Sequence, residues 1–306
     1  MKSSSPFLWL VGVLFLSGSV QAKELKSILE TVDVETGVRT VVRTFDGRIE
    51  APNWTRDGKW LVYNAGGRLY RIAPTGGDPE SVDTGACTRC NNDHVLSFDG
   101  RSIAVSHDPD PQGSRIYTMP LFATNAVAAT EVVSTPRSYL HGWSPDGKWL
   151  AYCAMRETDP KGDVYIAPAA GGVEKRLTTA PGLDDGPEFS PCGKYIWFNS
   201  CRSGLMQVWR MRADGSEQKQ MTNEDANNWF PHVSPDGRQV VYLAYRKGDL
   251  EPGQHLPDLN VELRLMSAEG GPSRPLVKLF GGQGTINVNS WSSDSKRLAF
   301  VSYRYE

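Results

Sequence analysis

Along the chain, short runs in which apolar and polar residues alternate at every second position are punctuated by Gly, Asp and Asn, the period of half-buried β-strands. One phrase recurs: an aromatic or aliphatic residue, Ser or Thr, a turn of the Pro-Asp-Gly-Lys type, then an apolar strand. It runs through Trp54–Tyr63, Leu96–Val105, Trp143–Tyr152, Phe189–Phe198, Val233–Tyr242 and Trp291–Phe300. Measured at the Asp position of each turn (Asp57, Asp99, Asp146, Cys192 in its place, Asp236, Asp294), the spacings are 42, 47, 46, 44 and 58, the length of one four-stranded propeller blade. The turns read as folding devices: Pro presets φ, Asp bonds nearby N–H groups, and Gly takes the left-handed conformation.

Each copy continues in the same order. An alternating strand such as Asp163–Ala167, Gln207–Met211 or Arg115–Met119 is followed by a Gly-rich hairpin turn at Gly76-Gly77, Gly171-Gly172, Asp214-Gly215 or Gly270-Gly271, and then by a polar strand such as Glu174–Thr178. Each unit is thus a four-stranded antiparallel meander. The sixth copy ends after two strands, while Ser27–Val34 and Arg39–Arg43 form an unattached N-terminal pair. Together they predict an all-β, six-bladed β-propeller over residues 23–306, closed by N-terminal strands that complete the C-terminal blade and leave no open edge.

These phrases resemble the repeat of the TolB-like, WD-repeat-like bacterial β-propellers: Ser-Pro-Asp-Gly-Lys, apolar strand, Tyr-containing strand, Gly-Gly turn, Leu-Thr. The resemblance covers nearly all of Lys26 to Tyr303 and implies the six-bladed fold. TolB itself carries an additional N-terminal α/β domain that serves the Tol-Pal envelope system. Here the repeats begin almost directly after the leader, so the resemblance extends to the propeller and not to the whole TolB role.

Residues 1–22 carry Lys2, an apolar stretch from Pro6 to Phe15, and Val20-Gln21-Ala22, which together read as a secretory signal peptide cleaved after Ala22. The apolar stretch is too short to cross a bilayer, and no later one is longer. A periplasmic or secreted protein, a monomer with no membrane span after cleavage, is the expectation. Lys+Arg 33 against Asp+Glu 35 gives a net charge of -2, without the basic footprint that nucleic acid requires. Export makes disulfides permissible among Cys87, Cys90, Cys153, Cys192 and Cys201, and the odd count leaves at least one thiol free. Cys87-Thr-Arg-Cys90 reads first as a local disulfide, then as incidental free thiols, then as a redox or metal half-site lacking a second half.

Chemistry is expected where the innermost strands surround the channel, just before the turns. The residues there are polar: Asn92, Asp93, His94; His141; Asp184, Asp185, Glu188; Asn227, Asn228, His232; Asn287 and Asn289, with Gln283 in the Gly-rich entrance to the sixth blade. Three readings stay open: a water-filled polar lining, a small-molecule or peptide-terminus site formed by His94, His141, Asp185, Glu188, Asn228, His232, Gln283 and Asn287, or a divalent metal on His94, His141 and His232. Trp54, Trp143, Phe189 and Trp291 are expected between blades as core, with Trp229-Phe230 either core or ligand-stacking. The insertion 247–260 reads first as tolerated surface decoration and second as a partner-binding loop.

No Gly-x-Ser-x-Gly elbow, His-Glu-x-x-His, phosphate loop or dinucleotide fingerprint occurs. Propeller-bearing peptidases add a separate hydrolase domain, for which a chain ending at Glu306 has no room. The first expectation is therefore a binding module of the envelope that presents its channel mouth and loops to an envelope protein, peptide or carbohydrate. The alternative is a metal-dependent carbohydrate-active enzyme, lyase or hydrolase, with Glu188 or Asp185 as base. A purely structural envelope component is the third.

Overall fold

A computed structural model describes residues 23–123, 125–157 and 159–306; the expected leader and its cleavage site at Ala22 lie outside the described residues. The described chain folds as six antiparallel sheets around an axis. Blade one is β3 (Glu50–Trp54), β4 (Leu61–Ala65), β5 (Arg68–Ile72) and β6 (Glu80–Val82). Blade two is β7 (Cys90–Leu96), β8 (Ser102–His107), β9 (Arg115–Pro120) and β10 (Thr130–Val133). Blade three is β11 (Ser138–Trp143), β12 (Trp149–Arg156), β13 (Asp159–Pro168) and β14 (Lys175–Arg176). Blade four is β15 (Asp184–Phe189), β16 (Tyr195–Ser200), β17 (Gln207–Arg212) and β18 (Lys219–Gln220), and blade five is β19 (Ala226–Val233), β20 (Gln239–Arg246), β21 (Leu259–Ser267) and β22 (Arg274–Gly281).

Blade six is the closure. β23 (Arg297–Tyr305) pairs with β1 (Leu25–Asp33) in unbroken register from Leu25↔Tyr305 to Asp33↔Arg297, and β1 pairs outward with β2 (Arg39–Asp46). Its innermost segment is joined to β23 by the single bridge Trp291↔Leu298, so this blade has three regular strands and an irregular inner one rather than four full strands. The chain enters this segment through close turns at Gly281, Gly282 and Gly284, where an added Cβ would strike Thr285, Leu256 or Tyr303. Among the described residues no helix is long and apolar enough to cross a membrane.

The recurrent turn works as its chemistry predicts. Ser97, Ser144, Ser234 and Ser292 each donate to the Asp two residues on at 2.6 Å, Thr55 does so at 2.7 Å, and the fourth turn substitutes a 3.3 Å Ser190–Cys192 contact. The following Gly has φ between +69° and +73° in five turns, and Ser295 takes the same conformation in the sixth at +60°. Ser295 also ties two blades together there, because its Oγ accepts the backbone N–H of Asp236 in the neighbouring turn at 3.0 Å.

Between blades lie apolar layers holding Trp54, Trp143, Phe189 and Trp291, each nearly buried, as expected of core positions. Trp229 is fully buried in the same way. All five cysteines are free thiols rather than a Cys87–Cys90 disulfide. The Cys90 thiol points at the Cys87 carbonyl at 3.4 Å, and burial pushes the Cys90 and Cys87 thiols up to about 12 and about 11.

Candidate functional site

Each innermost strand approaches the axis and then bends. The bend is a β-bulge at the same place in five blades: between Glu50 and Asn53, Cys90 and His94, Leu140 and Gly142, Asp185 and Glu188, and Trp229 and His232. Ala51, Gly186 and Phe230 take positive φ there, at 55°, 59° and 54°. A bulge re-aims the side chains beside it. The second strand of the preceding blade fixes the bend: Asn64 donates to the carbonyls of Cys90 and Asn91, Ser106 accepts Leu140 N–H, and Asn199 donates to Asn228 and accepts Phe230 N–H.

The bend divides the channel. On one side it opens into a cavity of about 740 Å³ lined by Glu50, Asn92, Tyr139, Asp185 and Asn287, each seven residues before the marker of its turn. Asp93, His141, Gln283 and Phe230 also line it. On the other side the space falls to about 30 Å³, little more than one water, between Arg56, Glu188, Asn289 and the turn-flanking aromatics. His141 belongs to both walls.

At the wide end His141 Nε2 lies 3.1 Å from Asp185 Oδ1, and the imidazole stacks on Phe230 with ring centres 6.0 Å apart. Burial works against the charged ring, but Asp93 and Asp185 outweigh it and raise His141 to about 9. Asp185 is likewise disfavoured by burial, yet His141 and the Gly186 N–H, 2.6 Å away, hold it down at about 2. Asp93 makes no ion-pair contact among the described residues; burial lifts it to about 7 against the pull of the His141 charge and the Asn91 side chain.

The insertion expected first as surface decoration reaches this mouth. His255 stands against Trp229, with centres 4.5 Å apart, and edge-on to Phe230 at 5.2 Å. Its Nε2 is 3.9 Å from Asp185 Oδ2, and burial lowers its affinity for a proton. The strap is tied at both sides: Tyr245 Oη and Gln283 N–H donate to the Leu256 carbonyl, and Asp258 accepts two bonds from Arg48 at 2.8 and 2.9 Å. Replacing His255 with Ala should uncover the Trp229 indole. A red-shifted emission with stronger acrylamide quenching is expected, at a stability cost of about 1 kcal/mol for the aromatic contact; unchanged quenching would disprove the strap's role as a cover.

Other sequence candidates serve the framework. His94 is fully buried with Nε2 3.4 Å from the Val62 carbonyl, and burial lowers it to about 4; it lines neither end of the channel. Asp184 pairs with Arg202 at 2.5 Å, away from its neighbour Asp185. Asn227 accepts Met206 N–H, and Asn228 donates toward Gln207, Thr222 and Glu224 in the layer between blades four and five. His232 has both ring nitrogens engaged, by Glu188 at 2.6 Å and the Ile286 carbonyl at 2.5 Å. His94, His141 and His232 therefore do not converge, and among the described residues no group of three or more His, Cys, Asp or Glu is placed to hold a metal ion. Arg48, Glu50, Tyr139 and His255 join the mouth without having been expected there.

Fold and channel together define a closed six-bladed propeller with one open, charged mouth. The chain belongs to the TolB beta propeller domain family, PD40, whose profile matches residues 96–271. It is 43% identical to an uncharacterized protein of Agrobacterium fabrum over 91% of this chain and 93% of that one. A solved TolB-type chain from Agrobacterium tumefaciens superposes with a TM-score of 0.86 at 42% identity, covering 92% of this chain and 99% of that one. The Tol-Pal system protein TolB of Francisella tularensis is 26% identical over 67% of this chain; the match spans 47% of that protein.

Proposed function

We propose that the protein is exported with cleavage after Ala22, and that residues 23–306 act as a monomeric interaction module in the bacterial envelope. The channel mouth and its strap are the surface offered to a protein or peptide partner. One observation carries this reading: the channel is filled at one end and open at the other, where the cavity is of the size that encloses a ligand segment. Kinship with a Tol-Pal system protein supports the envelope as its place of action. A carbohydrate-active enzyme with a metal on His94, His141 and His232 draws no support from the side-chain placement, since each ring is engaged by a partner of its own and no such group forms among the described residues.

Gly253 supplies the test. It lines the mouth, has ordinary backbone geometry, and an added Cβ would meet nothing within 4 Å. Gly253→Trp should fill the mouth without disturbing the fold. Captures from envelope extract with mature wild type and with Gly253→Trp are expected to differ at least tenfold in the retained partner. Equal retention by both proteins would refute the mouth as the interaction surface.

A further inference from the structure

The mouth carries unmatched hydrogen-bonding capacity of both signs. Arg48 Nη2 is paired with Asp258 and His141 Nε2 with Asp185, while Arg48 Nη1 is buried without a partner. Glu50 and Asp93 remain, and no cationic group of the described residues lies within ion-pair distance of either. Burial raises both carboxyls; Arg48 and the Asn92 amide only partly offset this at Glu50, as His141 does at Asp93. On the same wall, the His141 side chain is 5% exposed and its Nδ1 is buried without a hydrogen-bond partner. A protonated ring presents an N–H at that atom. The same cavity wall thus holds two carboxyls outside any ion pair and three buried nitrogens without a hydrogen-bond partner, on Arg48, His141 and His255, with Tyr139 and Phe230 beside them.

We infer that the mouth captures a primary ammonium group with a carbonyl next to it, the free N-terminus of a peptide chain, through Glu50 and Asp93 on the ammonium and His141 on the carbonyl. The inference rests on the mouth being the interaction surface and names what it recognises there. An ammonium beside Asp93 favours the ionised carboxylate, so binding releases a proton and strengthens as Asp93 ionises. The groups facing Asp93 from the neighbouring strands are His141, Asp185 and Glu50. Affinity should then fall again as the peptide's own amine, with a pKa of about 8, loses its proton. The optimum lies between about pH 7 and 8.

The probes are alanine tripeptide amide, its N-acetyl form, and propylamine, titrated calorimetrically into mature wild-type protein in two buffers of different ionisation enthalpy. The free peptide should bind at least tenfold tighter than the acetylated one, with proton release near pH 7. Asp93→Asn and Glu50→Gln, both near-isosteric, should each weaken it about fivefold or more. Propylamine should bind more weakly than the peptide; equal affinity would overturn the carbonyl contact to His141. Equal binding of free and acetylated peptide, which needs no variant to be measured, would overturn the inference entirely, as would no detectable binding of the free peptide at millimolar concentration. If the acetylated peptide binds equally while Gly253→Trp still abolishes partner capture, the interaction surface survives and only its ammonium selectivity fails. Free-peptide selectivity with unaltered partner capture would instead retain the pocket and remove the envelope partner from it.

Discussion

Replacing Glu188 with Ala is expected to lower the unfolding free energy by about 3–5 kcal/mol, measured by urea denaturation of the mature protein. Glu188 sits on β15, 6% exposed, and its two oxygens serve three groups from the next two blades. Oε2 meets His232 Nδ1 at 2.6 Å; Oε1 accepts Val233 N–H at 2.9 Å and Asn289 Nδ2 at 2.8 Å. Blades four, five and six are therefore tied at the narrow end of the channel by one carboxylate. Truncation strands His232 Nδ1 and Val233 N–H, and leaves Asn289 Nδ2 only its 3.0 Å bond to the Val233 carbonyl, in a space with room for little more than one water; each unmatched group costs about 1–3 kcal/mol. Glu188→Gln keeps an acceptor for Val233 and Asn289, and its amide donates to a His232 ring protonated at Nε2 alone. Its loss should be about 1 kcal/mol. An Ala variant within about 1 kcal/mol of wild type would show that the blades are held together without this clamp.

The contrast between Glu188 and Asp185, three residues apart on one strand, shows where legibility in the sequence stopped. The blades were readable because their signals are local. Ser97-to-Asp99 bonds and the positive φ of Gly100 are settled within one turn, and the turn repeats six times. Closure was readable because two strands were missing at one end and two spare at the other, as the β1–β23 ladder shows. The channel was harder because the inner strands bulge beside it, and past a bulge the simple alternation of faces fails. Asp184 and Asp185 are adjacent, yet one pairs with Arg202 and the other with His141. Counting back from the turns would have found Glu50, which stands at the register of Asp185 and Asn287. No count finds His255. Its loop has no period, and its place is fixed by contacts remote in sequence, Arg48 with Asp258 above all.

Stability should fall as pH rises through the His141 titration, and His141→Gln should remove that slope. His141 ordinarily titrates near 6.5 and in the fold near 9, since Asp93 and Asp185 overcome the cost of burying its charge. The folded protein therefore holds a proton that the unfolded chain releases. The resulting stabilisation is complete below pH 6.5 and drains away as pH climbs to 9, at up to about 1.4 kcal/mol per pH unit. Asp93 acts with the same sign at lower pH. Raised from 3.8 to about 7, it binds its proton more tightly in the fold, so its contribution is present below 3.8 and lost as pH rises to 7. Asp185 acts with the opposite sign: held at about 2, it contributes above 3.8 and loses that contribution as pH falls toward 2. Denaturant midpoints of wild type measured from pH 4 to pH 9.5 should thus decline in two stages, the earlier abolished by Asp93→Asn, which also weakens the later because Asp93 helps to hold the His141 proton, and the later abolished by His141→Gln. A midpoint in the Gln variant that still falls between pH 7 and 9 with the wild-type slope would mean that the imidazole is not the group holding the proton.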